Sequence, residues 1–160
     1  MQIKTIGHED SLTWMSLSKE YDDYVREASP DLTEWYDGND VSPSFEDYRK
    51  SKISKKEALM AVNDDGDCCG IIAISRNNNN ITFFGVFHKY DVMIVGDYLL
   101  SHAISELDAS KIIKITEIKS QSEQIQKHNA LFTKFGFTYQ GDVMESGVSV
   151  KCMARIPTGN

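Results

Sequence analysis

Three short apolar runs in the middle of the chain are joined by two tight polar turns. The runs cover Ala58–Val62, Cys68–Ser75 and 81–87, and the turns read Asn-Asp-Asp-Gly at 63–66 and Asn-Asn-Asn-Asn at 77–80. Asparagine, aspartate and glycine tolerate the positive φ angles that hairpin turns need. The pattern therefore predicts an antiparallel meander of three strands, so the rest of the chain has to pack on a sheet or extend it.

Helical periodicity precedes the meander. A short strand at 2–6 leads to an apolar stripe with helical spacing, for which Asp10 or Ser11 is the possible N-cap. Pro30 ends this first helix, because the residue before a proline is disfavoured in the α region. Pro43, at a first helical position, begins a second and shorter helix.

Two strand–helix units follow the meander. A helix with valine and leucine at helical spacing ends near Asp108, and an isoleucine-rich strand covers 111–119. Ser120 with Glu123 three residues later has the spacing of a capping box, and Gly136 stops the helix that follows. Two further strands close the chain.

The predicted element order is β, α, α, β, β, β, α, β, α, β, β. A meander that passes directly into strand–helix–strand predicts the α+β (mixed α/β) class, with a central mixed, mostly antiparallel sheet of about seven strands and four helices on its faces. The chain has 160 residues, which lies within the usual range of ~100–200 residues for one domain. We therefore expect a single domain over residues 1–160.

Composition argues against several classes of function. The chain has 17 lysines and arginines against 24 aspartates and glutamates, a formal charge of −7, and no basic stripe, so we expect no nucleic-acid partner. The apolar runs are far shorter than the ~20 residues of a membrane span, and the first residues lack the apolar segment of a signal peptide. We expect no membrane partner and a cytoplasmic location.

Three cysteines, two of them adjacent, fit neither a disulfide framework nor a zinc site, so we expect no metal.

The negative charge is concentrated in one segment. Between Glu20 and Asp47 there are ten acidic residues and one basic residue, Arg26, so this segment carries −9 and the remainder of the chain +2. Trp35 and Tyr36 lie among the acids. Two interpretations stay open, a solvated acidic surface and a binding site for a cation.

An anion could bind at the junction 86–100, between the third strand of the meander and the next helix. Gly96 lies in the first turns of that helix. Free N–H groups at a helix N-terminus bind phosphate, and a glycine there lets the anion approach the main chain. A single glycine in a helix is as often packed against a neighbouring element, so both interpretations remain.

The element order and several motifs together resemble the GCN5-related N-acetyltransferase (GNAT) family over nearly the whole chain. The junction is similar to the family's V-x-P-x-Y/F, R/Q-x-x-G-x-G/A and Leu-Leu motifs, with His88, Asp91 and Ile94 at the positions of the proline, the Arg/Gln and the first glycine. The positions that agree with the family are Val86, Tyr90, Gly96, Leu99 and Leu100.

Three other stretches resemble the same family. Residues 131–137, Leu-Phe-Thr-Lys-Phe-Gly-Phe, look like its L-Y-x-K-x-G-F motif, with Phe132 at the tyrosine position. Residues 150–155 look like its closing strand, and residues 65–70 are similar to its turn between the second and third strands. Ile125 replaces the asparagine that the family usually has before its fourth helix.

The resemblance implies acetyl-CoA as a cosubstrate. The family's fourth and fifth strands splay apart, which implies that main-chain groups at Val86, Phe87 and His88 bind the pantetheine amides. It also implies that amides at the start of the third helix bind the pyrophosphate, namely those of Val92, Ile94, Val95, Gly96 and Asp97. Asp91 precedes them, either as a carboxylate that repels the pyrophosphate or as the N-cap of the helix.

Acetyl transfer needs a base for the amine and an acid for the leaving thiolate. The family's acid is often a tyrosine on the fourth helix, and Phe132 at that position has no proton to donate. The remaining candidates are Tyr139, the nearest hydroxyl in sequence, and Glu117, near the end of the fifth strand. Each has a structural alternative, Tyr139 as an alternating strand residue and Glu117 as a solvated or salt-bridged carboxylate.

The resemblance implies an N-acetyltransferase that uses acetyl-CoA and moves the acetyl group to a primary amine of a small acceptor by direct transfer. Because the family builds the acceptor side partly from its first two helices, the acidic segment favours a cationic acceptor. The alternative is a noncatalytic acyl-CoA-binding or protein-interaction module on the same fold. Dimers are common in the family, which leaves a homodimer open.

Overall fold

Seven strands and four α-helices make up the part of the chain that the computed structural model describes, residues 1–28, 43–145 and 147–157. In chain order the elements are β1 (Gln2–Thr5), α1 (Ser11–Ala28), α2 (Pro43–Ser54), β2 (Ala58–Val62), β3 (Cys68–Ser75), β4 (Asn80–Val86), α3 (Val92–Glu106), β5 (Ile113–Ile118), α4 (Glu123–Lys134), β6 (Phe137–Glu145) and β7 (Val148–Arg155), with a 3-10 turn at His8–Asp10. The predicted class, element order and meander are confirmed. No helix within these described ranges is long and apolar enough to cross a membrane.

All seven strands form one sheet in the order β1-β2-β3-β4-β5-β7-β6. Neighbours are antiparallel except β4 and β5, which run parallel with α3 as the crossover between them. β3 and β4 are paired from Ser75↔Asn80 to Gly70↔Val86. β4 and β5 are paired only at Asn80↔Lys114, near the start of both strands. A gap therefore opens between β4 and β5 toward Val86, and we refer to it as the β4–β5 gap.

Helices cover both faces of the sheet. α3 and α4 pack on one face, where Leu99 and Leu131 meet Phe84 of β4. α1 and α2 pack on the other face, where the fully buried Trp14 meets Phe83 of β4. Phe83 and Phe84 point to opposite faces, as the two-residue period of a strand requires. The α1 face and the α3 face are named after these helices below.

Side-chain caps set the starts of α3 and α4. The Asp91 carboxylate accepts a hydrogen bond from Met93 N–H (2.8 Å), so the N-cap interpretation of Asp91 is confirmed. Ser122 caps α4, and its hydroxyl accepts from a first-turn N–H. The predicted capping box of Ser120 and Glu123 is wrong, because Ser120 Oγ instead accepts from Ser122 N–H (3.1 Å) in the turn before the helix.

Several strand limits differ from the sequence prediction, among them the end of β1 and the start of β5. β1 ends at Thr5, one residue early. β5 begins at Ile113, because Lys111 N–H donates to Asp108 C=O (3.1 Å) and closes a turn ahead of the strand. The predicted helix end at Pro30 and the centre of the acidic segment lie outside the described residues.

A buried ion pair ties α2 to the sheet. Lys52 Nζ lies 3.2 Å from Glu57 Oε1 and donates to Ile74 C=O (2.5 Å). The other oxygen of Glu57 accepts from Arg76 N–H (2.7 Å). Burial by itself would raise the pKa of Glu57, but the hydrogen bonds from Arg76 N–H and then from Lys52 outweigh it and lower that pKa. Lys52, Glu57 and Arg76 are referred to as the Lys52 cluster.

Candidate active site

At the C-terminal end of β4, side chains take the place of a neighbouring strand. Val86 N–H donates to the hydroxyl of Tyr21 on α1 (3.1 Å). Val86 C=O accepts from the carboxamide of Gln124, in the first turn of α4 (2.9 Å). These bonds satisfy main-chain groups that strand pairing would otherwise satisfy. The β4–β5 gap is therefore lined by polar side chains from both helices.

Tyr21 continues through the gap to a buried histidine. Its hydroxyl lies 2.6 Å from His128 Nε2 on α4, and His128 Nδ1 lies 2.7 Å from Glu117 Oε2 on β5. His128 is fully buried and Glu117 is 8% exposed. Because α1 and α4 cover opposite faces, the contact between Tyr21 and His128 crosses the sheet. Tyr21, His128 and Glu117 are referred to as the Tyr21 cluster.

Hydrogen-bond chemistry assigns the protons of this cluster. An ionised carboxylate only accepts, so His128 Nδ1–H donates to Glu117. The other nitrogen of a neutral imidazole is then an acceptor, and the Tyr21 O–H donates to His128 Nε2. The Tyr21 oxygen keeps a lone pair for Val86 N–H. Burial raises the pKa of Tyr21 well above its usual value, so the hydroxyl carries its proton at neutral pH.

Packing fixes the rings of the cluster. His128 lies edge-on to Phe84, with 4.8 Å between the ring centres, and 6.0 Å from the Phe132 ring. Tyr21 lies against Gly85 of β4, where an added Cβ would come within 2.9 Å of Tyr21 Cε2. A glycine at residue 85 therefore lets Tyr21 approach the strand. Apolar walls around these hydrogen bonds lower the local dielectric and strengthen them.

Comparison with known proteins identifies the fold. No protein-family model and no curated protein matches the sequence. An acetyltransferase of the GNAT family from Streptococcus agalactiae matches the structure with a TM-score of 0.69 at 15% identity, over 99% of this chain and 96% of that chain. An N-acetyltransferase from Staphylococcus aureus matches with a TM-score of 0.67 at 12% identity, over 96% of this chain and 100% of that chain. The chain has the GNAT fold.

A third structural neighbour was solved with a ligand. This Chaetomium thermophilum protein, in complex with a bisubstrate analogue, matches with a TM-score of 0.61 at 13% identity, over 98% of this chain and 87% of that chain. The match extends over nearly the whole chain, so it includes the helices α1 and α4.

In this GNAT fold the residues predicted to bind pantetheine lie at the end of β4 and just after it. Their main-chain groups are engaged within the chain. Phe87 N–H donates to Cys69 C=O (2.9 Å) and His88 N–H donates to Glu20 Oε1 (2.9 Å). His88 Nδ1 lies 2.7 Å from the same carboxylate oxygen. With the two bonds at Val86, these contacts place α1 directly beside the predicted pantetheine site.

The residues predicted to bind pyrophosphate form the first turns of α3, namely Val92, Ile94, Val95, Gly96 and Asp97. Val92 and Val95 have buried side chains, whereas Ile94 is 57% exposed. Asp97 pairs with Lys134 of α4 (3.0 Å). Phosphate binding by the amides of this turn remains a prediction, and it does not require any of these side chains.

Gly96 has a packing role in the GNAT fold. It is buried, and a Cβ at this position would overlap Leu131 Cδ2 of α4 and lie 3.1 Å from Phe84 Cζ. The missing side chain therefore lets α3 and α4 approach closely. This agrees with the packing interpretation of the glycine. At the start of the helix, the N–H groups of Ile94 and Val95 donate to Asp91 C=O (3.2 and 3.0 Å).

The two predicted catalytic residues lie in different parts of the sheet. Glu117 lies at the β4–β5 gap and is bound to His128, so it is buried and not solvated. Tyr139 lies on the edge strand β6 and is 57% exposed. Its hydroxyl donates to Asp142 (2.7 Å), and this hydrogen bond raises the pKa of Tyr139. Tyr139 is therefore away from the gap, which agrees with its structural alternative.

Two members of the Tyr21 cluster were not predicted from the sequence. Tyr21 and His128 both belong to apolar stripes, of α1 and α4 respectively, and periodicity treats them as core residues. A histidine on an otherwise apolar helix face was the available signal, because a buried imidazole needs partners for both nitrogens. Phe132, at the family's tyrosine position, is fully buried one turn after His128.

Carboxylates of α1 lie near Tyr24, which packs against the Tyr21 cluster. Tyr24 lies edge-on to Tyr21, with 5.3 Å between the ring centres. Burial, and then the charges of Glu20, Asp23 and Glu27, raise the pKa of Tyr24. Glu27 also lines a cavity of about 280 Å³ with the residues that follow β5, namely Lys119, Ser120 and Gln121. The described part of the acidic segment therefore has carboxylates close to the Tyr21 cluster.

Proposed function

We propose that this chain is a divergent GNAT family member that uses acetyl-CoA to acetylate a primary amine of a small cationic acceptor by direct transfer. The observation that carries the proposal is the β4–β5 gap, which opens beside a tyrosine, a histidine and a glutamate joined by hydrogen bonds. Among the structural neighbours, the Staphylococcus aureus protein is an N-acetyltransferase and the Chaetomium thermophilum protein is bound to a bisubstrate analogue.

The gap fits the amide portion of acetyl-CoA. The Gln124 carboxamide donates to Val86 C=O, and an amide N–H of pantetheine offers the same donor chemistry at that carbonyl. The N-terminus of α3 provides the positive end of the helix dipole for a pyrophosphate, which would compete with Asp91 for the N–H groups of Met93, Ile94 and Val95. Asp91 turns its carboxylate onto Met93 N–H, so its charge is partly neutralised by the helix. Bound acetyl-CoA would supply the acyl thioester.

Charge on α1 supports the cationic acceptor. Glu20 and Glu27 flank Tyr24, which packs on Tyr21 of the cluster. Carboxylates attract an ammonium group, and an aromatic face adds a cation–π contact. The acceptor would approach along this part of α1, with its amine directed at the gap.

Cofactor binding is tested by thermal-shift titration with acetyl-CoA and with CoA. We expect both to raise the Tm, because a ligand at a hundred times its Kd stabilises the native state by about 2.7 kcal/mol. If neither compound raises the Tm, the proposed function is contradicted, and so is the use of any acyl-CoA by this chain.

Acceptor class is tested by CoA release with a panel of cationic and neutral primary amines. We expect turnover with cationic amines. Glu27→Gln should raise their KM and leave neutral amines unaffected, while Glu106→Gln, the same charge change at the far end of α3, should change neither. Turnover of neutral amines alone would show that the acceptor prediction is wrong.

A noncatalytic acyl-CoA-binding module is the second candidate function. Two observations favour it: Phe132 replaces the family's tyrosine, and Val86 N–H and C=O are both engaged within the chain. A Tm shift with acetyl-CoA, without CoA release on any amine, would support this module against the enzyme.

A further inference from the structure

The Tyr21 cluster has one end at the β4–β5 gap. Glu117 and His128 are buried, and Tyr21 is half-buried. The Tyr21 hydroxyl accepts from Val86 N–H, a group that lines the predicted pantetheine site, so it is the end of the hydrogen-bonded chain nearest the gap. A ligand in the gap would contact Tyr21 before either of the other two residues.

We propose that Tyr21 is the catalytic acid and base of the acetyl transfer, and that His128 and Glu117 are positioning residues that hold its proton. This inference rests on the proposed function. It assigns the proton transfer to a tyrosine on α1 that reaches through the sheet, and so accounts for a phenylalanine at residue 132.

One proton moves in each turnover. The amine enters neutral, after its ammonium form has lost a proton to water. As its nitrogen bonds to the acyl carbon, the N–H proton passes to the Tyr21 oxygen and the Tyr21 proton passes to His128 Nε2. As the carbon–sulfur bond breaks, Tyr21 donates its proton to the sulfur and recovers one from His128. The nitrogen has lost one proton, the sulfur has gained one, and the cluster is unchanged.

Glu117 is the charge that acts on His128 most directly. Its carboxylate accepts from Nδ1–H and balances the imidazolium that forms when Nε2 takes the proton. From α1, Tyr21 touches the ring and Tyr24 lies behind it, while Glu20 is bound to His88. The neighbouring side chains on β4 and α4 are the uncharged Phe84 and Phe132.

The first test removes only the hydroxyl. Tyr21→Phe should lower kcat by about 10²–10⁴-fold, the range of a general acid–base catalyst, and acetyl-CoA should still bind. Tyr48→Phe makes the same change at a half-buried tyrosine of α2 on the α1 face and should leave kcat unchanged. A Tyr21→Phe enzyme with the wild-type kcat would overturn the inference.

The second test separates positioning from packing. Glu117→Gln keeps an oxygen that can accept from Nδ1–H but removes the charge. The rate should fall, and the acid limb of the pH–rate profile should move to lower pH because the imidazolium has lost its balancing charge. A packing role would lower the rate equally at every pH, and an unmoved acid limb would therefore overturn the role of Glu117.

A third test needs no cosubstrate. Nitrogen NMR of the imidazoles in the free protein, with His128→Asn to assign the signal, should show His128 protonated at Nδ1 and bare at Nε2 at about pH 8. If His128 instead carries its proton on Nε2 in the free protein, Nε2 cannot accept a proton from Tyr21, and the inference is overturned.

The outcomes distinguish this inference from the proposed function. If the wild-type protein binds no acetyl-CoA, or if none of the amines tested leads to CoA release, both the inference and the proposed function are overturned. Turnover that survives Tyr21→Phe overturns the inference and leaves the proposed function in place.

Discussion

The Lys52 cluster and the Tyr21 cluster both join a helix to the sheet, but they differ in charge and in what lies beside them. Lys52 and Glu57 are two buried charges whose remaining hydrogen bonds are made with the main chain. The Tyr21 cluster has one formal charge, on Glu117, and ends on a hydroxyl at the β4–β5 gap. A half-buried tyrosine lies beside the Lys52 cluster as well, since the ring centre of Tyr48 is 5.8 Å from Lys52 Nζ.

The comparison separates groups that hold the fold from groups that can react. Every polar atom described for the Lys52–Glu57 pair has a bonding partner. A proton that moved from Lys52 to Glu57 would neutralise both charges and so break the ion pair. In the Tyr21 cluster a proton can move from Tyr21 to His128 while the hydrogen bonds between the three side chains remain. We therefore expect changes in the Lys52 cluster to affect the free energy of unfolding, and changes in the Tyr21 cluster to affect the rate.

The largest effect on stability is expected from Glu57→Ala. Removing one partner of a buried ion pair leaves Lys52 buried without its counter-charge, so the free energy of unfolding should fall by about 3–5 kcal/mol. Urea denaturation measures this, and kcat per folded molecule should stay at the wild-type value. Glu106→Ala, which removes an exposed partner of Arg76, should cost no more than about 1 kcal/mol. A cost for Glu57→Ala as small as this control would remove the distinction between the clusters.

A smaller loss is expected where the backbone supports the Tyr21 cluster. The Cβ of Gly85→Ala would crowd Tyr21 Cε2 (2.9 Å) and Leu17 Cδ2 (3.3 Å), which should cost about 1–3 kcal/mol. Displacement of Tyr21 from His128 should also lower kcat. In the Tyr21→Phe background the same substitution should lower kcat no further, and an additional rate loss there would show that Gly85 acts through another residue.

The two tyrosines predict a loss of stability at high pH. Burial raises the pKa values of Tyr21 and Tyr48, whereas an unfolded tyrosine ionises near pH 10. The unfolded chain then binds fewer protons than the native one, so the free energy of unfolding should be unaffected by these groups below about pH 9 and fall above about pH 10. Tyr21→Phe and Tyr48→Phe should each reduce that slope in urea denaturation. Unchanged slopes in both variants would contradict the assigned burial.

The smallest effect is expected at Gln124. If its carboxamide occupies the place of a pantetheine amide, Gln124→Ala removes a competitor for Val86 C=O. One hydrogen bond contributes about 0.5–1.5 kcal/mol, so acetyl-CoA should bind about two- to tenfold more tightly. Gln140→Ala, on the exposed face of β6, is the matched control. Weaker binding by Gln124→Ala would show that Gln124 contacts the cosubstrate directly.

The sequence predicts the fold better than the site because the two depend on different ranges of contact. Strands and helices follow from periodicity and turn residues, which are local. Tyr21 and His128 lie 107 positions apart, and a period of 3.6 cannot show that two stripe residues meet through a sheet. Glu117 can be predicted because a carboxylate near a strand end is visible in the local sequence. The spacing from Ser120 to Glu123 predicts the wrong N-cap, because spacing does not show that Ser122 has the extended backbone of an N-cap.

Because β4 and β5 share one paired position, the hydrogen bonds of the sheet fall into two sets that close separately. One set connects β1, β2, β3 and β4, which come from the first part of the chain. The other set connects β5, β7 and β6, which come from its last third. Loops within each set are short in comparison with loops between them, which favours their early closure. Folding can thus proceed half by half, and the Tyr21 cluster, with one member from the first half and two from the second, forms only when the halves dock.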